Sequence, residues 1–245
     1  MASGTWRVAG GGAIRLIAVW LATLACHGGH VEKAFQTNTP TAIEVRYQLY
    51  LPAGYTDDPG KSWPMILFLH GVGERGNDLA QVLLYGLPPY VESREDFPFV
   101  VVAPQCPLEA DWDTETLYAL TRHAGKLYRI DERRLYLTGI SMGGFGTWDM
   151  ACKYPDLFAA IAPVCGGGDL GKVDRIKHLP VWVFHGARDS LVPVQKADDM
   201  VHALQDVGGN VRYTRYEEVG HDAWNRAYPN ADLYAWFLAQ KLLIP

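Results

Sequence analysis

The chain has 245 residues, a formal net charge of -5, 49% hydrophobic residues and 20% charged residues. This composition excludes a disordered or fibrous protein, and the length suits one domain with its own hydrophobic core. Lysine and arginine residues are scattered rather than clustered on one segment, so we expect no nucleic-acid partner.

The first 30 residues differ in composition from the rest of the chain. Two arginines precede an apolar run from Leu16 to Cys26, which has the length of a signal-peptide core and is too short for a stable membrane span. We therefore predict a signal-like leader over residues 1–30 and export to the periplasm or the medium. Two alternatives are a lipid anchor on Cys26, although Thr23 stands where such signals usually carry leucine, and a non-native leader on a cytoplasmic protein.

The remaining chain, residues 31–245, alternates predicted strands with predicted helices. Residues Glu44 to Leu51 alternate polar and apolar side chains, which is typical of a half-exposed strand, and Val211 to Tyr216 is also strand-like. Short apolar runs typical of doubly covered strands follow at Met65–Leu69, Phe99–Ala103, Leu135–Leu137, Ala160–Ala162 and Val181–Phe184. Helical patterns lie at Thr114–Arg129, Gly144–Tyr154, Val194–Val207 and Ala231–Leu243. This order predicts one α/β domain, a mostly parallel sheet flanked by helices on both faces.

The segment Gly139-Ile140-Ser141-Met142-Gly143 has the pattern G-x-S-x-G, after an apolar strand and before a helical stretch. In that context the pattern indicates a nucleophile elbow, in which the strained turn exposes the serine hydroxyl and the glycines let strand and helix approach closely. Ser141 is therefore the candidate nucleophile.

A serine nucleophile needs a base, and in this arrangement the acid and the histidine follow the serine along the chain. His221, in a loop between a strand and the last helix, is the candidate base. His185 ends a strand, where a packed, hydrogen-bonded role is a simpler interpretation than that of a base. Asp189 is the candidate carboxylate, because it lies in the loop after the same strand. Asp222 is a poor candidate, since adjacent side chains in an extended loop point apart. Other late carboxylates remain as rivals: Asp169, Asp174, Asp198 and Asp199.

Acyl transfer also requires donors for the oxyanion. The Met142 amide, directly after the nucleophile, is one candidate donor. The other lies in the glycine-containing segment after the strand that ends at Leu69, where Val72 is the first choice and Gly71 the second. His70, which begins this segment, is expected to brace the turn rather than to act as a base.

The four cysteines, Cys26, Cys106, Cys152 and Cys165, have no metal-binding spacing. We expect no metal site and no cofactor, and free thiols rather than disulfides. No inference about oligomeric state follows from the sequence.

Five ordered motifs, LFLHGVGERGND, APQCP followed by Trp112, GISMGGFGTW, HGARDSLVP and GHDAW, resemble the α/β-hydrolase family esterases over residues 41–245. Within them the chain resembles the group related to prolyl-oligopeptidase catalytic domains, dienelactone hydrolase, and feruloyl and polyhydroxybutyrate-type esterases. The resemblance implies the α/β-hydrolase fold without a large lid, the Ser141, Asp189 and His221 triad, and Trp112 and Trp224 as walls of a substrate pocket.

These features favour a carboxylic ester hydrolase that forms an acyl-enzyme and prefers short-chain, small aryl or polysaccharide-linked esters. An open site would enclose little of a long acyl chain. A serine peptidase of the prolyl-oligopeptidase type is the alternative, and a non-catalytic binding protein on a hydrolase fold is a further one.

Overall fold

The computed structural model describes residues 29–36 and 44–242. The predicted leader and Cys26 lie outside the described residues, except for Gly29 and His30, which begin the first strand. The other three cysteines are buried free thiols.

The described residues form one eight-stranded sheet. Its strands are β1 (Gly29–Gln36), β2 (Glu44–Leu51), β3 (Trp63–Leu69), β4 (Val100–Pro104), β5 (Ile130–Ile140), β6 (Ala160–Val164), β7 (Val181–Gly186) and β8 (Val211–Tyr216). The spatial order is β1-β2-β4-β3-β5-β6-β7-β8, and β2 pairs antiparallel with both β1 and β4. All other pairings are parallel. The predicted mostly parallel α/β sheet is confirmed; β1 is an additional edge strand.

Helices cover both faces of the sheet. They are α1 (Leu87–Glu92), α2 (Thr114–Leu127), α3 (Met142–Lys153), α4 (Gln195–Asp206), α5 (Trp224–Ala227) and α6 (Ala231–Ala239). Helices α2, α3 and α4 pack on one face, and α1, α5 and α6 on the other. Helix α6 ends before the predicted Leu243, because the chain becomes extended at Gln240 and the Leu242 amide bonds to the Arg133 carbonyl. Among the described residues, no helix combines the length and apolar character needed to cross a bilayer.

Strand β3 shows why the central strands are apolar throughout. Met65, Leu67 and Leu69 belong to the core on one face, whereas Ile66 and Phe68 belong to the core on the other. Successive strand residues point to opposite faces, so a doubly covered strand has no position for a solvated side chain.

Strands β3 and β5 are neighbours, but β4 lies next to β3 toward one edge of the sheet and β6 lies next to β5 toward the other edge. Such a reversal opens a crevice at the carboxyl ends of the two strands, where ligands bind in open α/β sheets. The connection from β6 to β7 contains only a 3₁₀ turn, Leu170–Ile176, in agreement with the expected absence of a large lid.

Candidate active site

Ser141 occupies the sharp turn between β5 and α3. Its φ of 52° and ψ of −116° are a conformation that costs a non-glycine residue about 1–3 kcal/mol. A Cβ on Gly143 would overlap the Leu69 carbonyl, and one on Gly139 would overlap the Gly143 backbone. Both glycines are therefore sterically required for the approach of strand and helix, and the strained turn carries the serine side chain at the sheet edge.

His221 joins Ser141 to Asp189. Its Nε2 is 2.9 Å from Ser141 Oγ, and its Nδ1 is 2.7 Å from Asp189 Oδ2. A carboxylate at Nδ1 holds the proton on that nitrogen, so Nε2 presents its lone pair to the serine hydroxyl. This geometry permits transfer of the hydroxyl proton to His221, with the resulting imidazolium stabilised by the carboxylate.

The loops that carry Asp189 and His221 are in direct contact. They follow the neighbouring parallel strands β7 and β8, and the Arg188 amide donates to the Val219 carbonyl at 2.9 Å. A Cβ on Gly186 would overlap the carbonyl groups of Val219 and Gly220. This close approach lets the short aspartate side chain reach the imidazole.

The Asp189 carboxylate is buried and accepts several hydrogen bonds. Oδ1 accepts from the backbone N–H groups of Leu191 at 2.9 Å and Val192 at 2.8 Å. Oδ2 faces both His221 and, at 3.1 Å, Nε2 of His185. His185, the other histidine considered as a base, therefore lies behind the acid and not beside Ser141; sequence reasoning did not find this contact.

The rival carboxylates make local contacts instead. The side chain of Asp222, next to His221, accepts a hydrogen bond from Asn225 at 3.3 Å. Three others also bond to groups close by in the fold: Asp169 to the Gly171 amide, Asp174 to Lys177, and Asp198 to Tyr213.

His70 braces the segment after β3. The fully buried ring has Nδ1 2.6 Å from the Gly71 carbonyl oxygen and Nε2 3.0 Å from the Cys106 amide nitrogen. Since the carbonyl can only accept and the amide can only donate, the proton lies on Nδ1. Burial lowers the pKa of His70 to about 4, so the ring is neutral at pH 7.

This brace determines which way the next amide points. A trans peptide holds its C=O and N–H on opposite sides, so the bond from His70 to the Gly71 carbonyl directs the Val72 N–H away from His70. Within residues 44–242 no acceptor pairs with that N–H. The Gly71 N–H, the second choice as an oxyanion donor, instead donates to Glu74 Oε2 at 2.8 Å. Of these two amides, only that of Val72 is without an acceptor among the described residues, so Val72 stays the first choice.

Met142 is the first residue of α3, where the amides have no acceptor within the helix. A Cβ built on Gly71 would lie 3.6 Å from Ser141 Cβ, so the segment after β3 is adjacent to the nucleophile turn. The Met142 and Val72 amides thus belong to two different elements next to Ser141, and both stay candidate oxyanion donors.

Trp112 and Trp224 lie in different places. Trp112 is largely buried, donates from Nε1 to the His70 carbonyl at 3.3 Å, and lines a pocket of about 400 Å³. Trp224 is not part of this pocket; its ring contacts the His221 ring edge to face, with centroids 5.3 Å apart. The other residues that line the pocket are Asp111, Met142, Phe145, Gly146 and Asp149.

The thiol of Cys165 and the polar atoms of Asp189 and His221 lie within 4.8 Å of one another. They do not fit a metal ion. Asp189 Oδ2 and His221 Nδ1 are only 2.7 Å apart, closer than two ligands about 2.0–2.1 Å from one tetrahedral zinc ion. Burial also raises the pKa of the Cys165 thiol to about 12, which disfavours the thiolate ligand.

The dienelactone hydrolase family matches residues 112–240, which include Ser141, Asp189 and His221. A bifunctional acetylxylan esterase/xylanase of Neocallimastix patriciarum is 26% identical over 71% of this chain, and the match spans 26% of that protein. A poly(3-hydroxyoctanoate) depolymerase of Pseudomonas fluorescens is 28% identical over 74% of this chain and 75% of its own length. The match thus spans only about a quarter of the first of these relatives.

Among solved structures, the crystal structure of a thermostable esterase has a TM-score of 0.77 and 38% sequence identity. The superposition covers 86% of this chain and 63% of that one. The shared fold thus includes most of the described residues.

Proposed function

The chain belongs to the dienelactone hydrolase family, and on that premise we propose that it hydrolyses carboxylic esters through an acyl-enzyme at Ser141. One observation carries the proposal: the continuous hydrogen-bonded series from Ser141 Oγ through His221 to the buried Asp189 carboxylate. A serine hydroxyl is a weak nucleophile at neutral pH, and a base 2.9 Å away supplies what it lacks.

In the first half-reaction, His221 Nε2 takes the hydroxyl proton as Ser141 Oγ attacks the ester carbonyl. The resulting oxyanion accepts hydrogen bonds from the Met142 and Val72 amides. The position of Met142 at the start of α3 and the contact of His70 with the Gly71 carbonyl support this choice of donors. The imidazolium then protonates the departing alkoxide, leaving an acyl ester on Ser141. Water, activated by the same nitrogen, hydrolyses that ester in the second half-reaction.

The lining of the pocket beside Met142 supports a proposal for the substrate class. Its aromatic side chains, Trp112 and Phe145, suit a flat or small apolar group, and its carboxylates, Asp111 and Asp149, are acceptors for hydroxyl groups. A long acyl chain would extend into water from an open site and gain little binding energy. We therefore assign short-chain, small aryl or polysaccharide-linked esters as substrates, consistent with the acetylxylan esterase relative.

The test is hydrolysis of p-nitrophenyl acetate, butyrate, octanoate and palmitate by the full chain, with Ser141→Ala as the matched control. We expect the highest kcat/KM at acetate or butyrate and loss of turnover in the control. Acetylated xylan and methyl ferulate then distinguish sugar-linked acetate from a small aryl ester. A folded protein without Ser141-dependent ester hydrolysis would contradict the proposal, and faster cleavage of peptide p-nitroanilides would favour the peptidase alternative.

A further inference from the structure

His185 is the fifth residue of β7 and is fully buried beneath the turn that carries Asp189. Its Nε2 lies 2.9 Å from the Val192 carbonyl oxygen and 3.1 Å from Asp189 Oδ2. Its neighbours along the strand, Val183 and Phe184, are apolar core residues. The strand thus places one polar ring in contact with the acid of the proposed triad.

The protonation state of this ring follows from its neighbours. Both groups at Nε2 are acceptors, so Nε2 carries a proton and donates to them. Within the described residues, Nδ1 has no hydrogen-bond partner. A proton there would leave a buried donor unpaired, and burial accordingly lowers the pKa of His185. His185 is therefore the neutral Nε2–H tautomer.

Retaining this ring has a cost that an apolar side chain would avoid. Burial of an unpaired polar atom such as Nδ1 destabilises a fold. The gain on the other side is the Nε2–H donor, shared between Asp189 and Val192. With this donor the carboxylate accepts four N–H groups: two backbone amides at Oδ1, and His185 and His221 at Oδ2.

We propose that His185 is a positioning residue, whose Nε2–H holds the Asp189 carboxylate in place and draws electron density from the oxygen that binds His221. The inference rests on the proposed function and goes beyond it, because it assigns the control of the base to a second histidine. It predicts two separable effects: the donor maintains the orientation of the carboxylate, and it limits how strongly the carboxylate stabilises the imidazolium of His221.

The titratable groups that face Asp189 are His185, His221 and Cys165. Arg215 lies opposite His185 in β8, but its guanidinium pairs with Asp198 and Glu217 instead. Arg188, next to Asp189 in the chain, pairs with Glu218. Removal of the His185 donor therefore alters Asp189 directly and leaves both of these arginines in their ion pairs.

Two substitutions distinguish the loss of the Nε2–H donor from the loss of the volume that the ring fills. His185→Met keeps an unbranched side chain of similar size without a donor, whereas the amide nitrogen of His185→Gln can take the place of Nε2. The test is to measure kcat and KM for p-nitrophenyl acetate from about pH 5 to pH 9, together with the melting temperature of each variant. The acidic limb of the profile reports protonation of the general base.

In His185→Met we expect kcat to fall about tenfold, the equivalent of ~1.4 kcal/mol, with KM changed less than about twofold. The acidic limb moves to higher pH by up to about one pH unit, because a carboxylate without the donor stabilises the imidazolium more strongly. His185→Gln restores most of kcat and the wild-type limb. Equal losses in both variants with an unmoved limb would mean that His185 only fills space.

A measurement on the wild-type protein does not depend on whether the variants fold or on whether the ester is a substrate. ¹⁵N NMR of histidine-labelled protein should show His185 as a neutral Nε2–H tautomer between about pH 6 and pH 8. The Nδ1–H tautomer would remove the proposed donor and overturn the inference. If instead the expected tautomer is present and no ester is cleaved, the proposed function fails while the contact itself stands.

Discussion

Replacing His70 tests the brace that we assign to the segment after β3, and the effect has a definite pH dependence. The folded-state pKa of His70 is about 4, compared with an ordinary value of 6.5. Because the pKa is lowered, the neutral ring stabilises the fold fully above about pH 6.5, and this contribution is lost as the pH falls toward 4. Each pH unit in that window removes up to ~1.4 kcal/mol, so the loss between pH 8 and pH 5 is about 2 kcal/mol.

His70→Asn removes the titrating ring while its amide can still donate to the Gly71 carbonyl. We expect urea unfolding to give a stability difference between wild type and this variant that shrinks by about 2 kcal/mol from pH 8 to pH 5. The other buried histidines are present in both proteins, so their contributions cancel in that difference. A difference that is the same at both pH values would refute the neutral, buried state of His70.

His70→Leu, measured at pH 8, separates stability from catalysis. It leaves the Gly71 carbonyl and the Cys106 amide without their partner, at about 1–3 kcal/mol each. It also frees the peptide that directs the Val72 amide, so kcat should fall more than in His70→Asn. If the two variants have the same kcat, the brace does not orient the oxyanion donor.

Three further substitutions test neighbouring parts of the site. Val72→Pro removes the proposed oxyanion donor and puts the ring Cδ in its place, and Gly71 already has the extended conformation that precedes proline. We expect kcat to fall at least about 10²–10³-fold, with Val72→Ala near wild type. Ser141→Gly should abolish turnover yet unfold at higher temperature than Ser141→Ala, because glycine relieves the positive φ; equal melting temperatures would argue against strain at the turn. Gly186→Ala should separate the acid and base loops and lower kcat, whereas unchanged kinetics would show that the loops can move apart freely.

The strands and helices that could be predicted are those with a local pattern. Glu44–Leu51 alternates and is β2 as predicted, and Ala160–Ala162 falls within β6. The first strand, Gly29–Gln36, overlaps the predicted leader boundary and pairs only with β2, so nothing in the central sheet pattern required it. Helix α2 ends at Leu127 instead of Arg129, because the chain must turn extended before β5 begins at Ile130.

The candidate site also has parts that could be predicted from a local pattern and parts that could not. The turn at Ser141 is encoded by consecutive residues, so its geometry could be predicted from the motif alone. The contacts that bear on the ranking of Val72 before Gly71 could not, because the Glu74 side chain folds back onto the Gly71 amide and a buried histidine contacts the Gly71 carbonyl. Hydrogen bonds of that kind depend on tertiary contacts that leave no periodicity in the sequence.

His70 and His185 show how the same residue type can serve two purposes at the carboxyl ends of strands in one sheet; His70 follows β3, and His185 lies in β7, with β5 and β6 between these two strands. His70 uses both nitrogens, joining the Gly71 carbonyl to the Cys106 amide, so it fixes two segments of backbone and its loss should be seen chiefly in stability. His185 uses only Nε2, which it shares between the Val192 carbonyl and the carboxylate oxygen that also binds His221. Its loss removes one backbone partner and changes the environment of Asp189 behind the base, so it should be seen chiefly in kcat and its pH dependence. We therefore expect substitution of His70 to act mainly on stability and substitution of His185 mainly on kcat and its pH dependence. If both substitutions lowered only stability, His185 would not influence the charge of Asp189 that acts on His221.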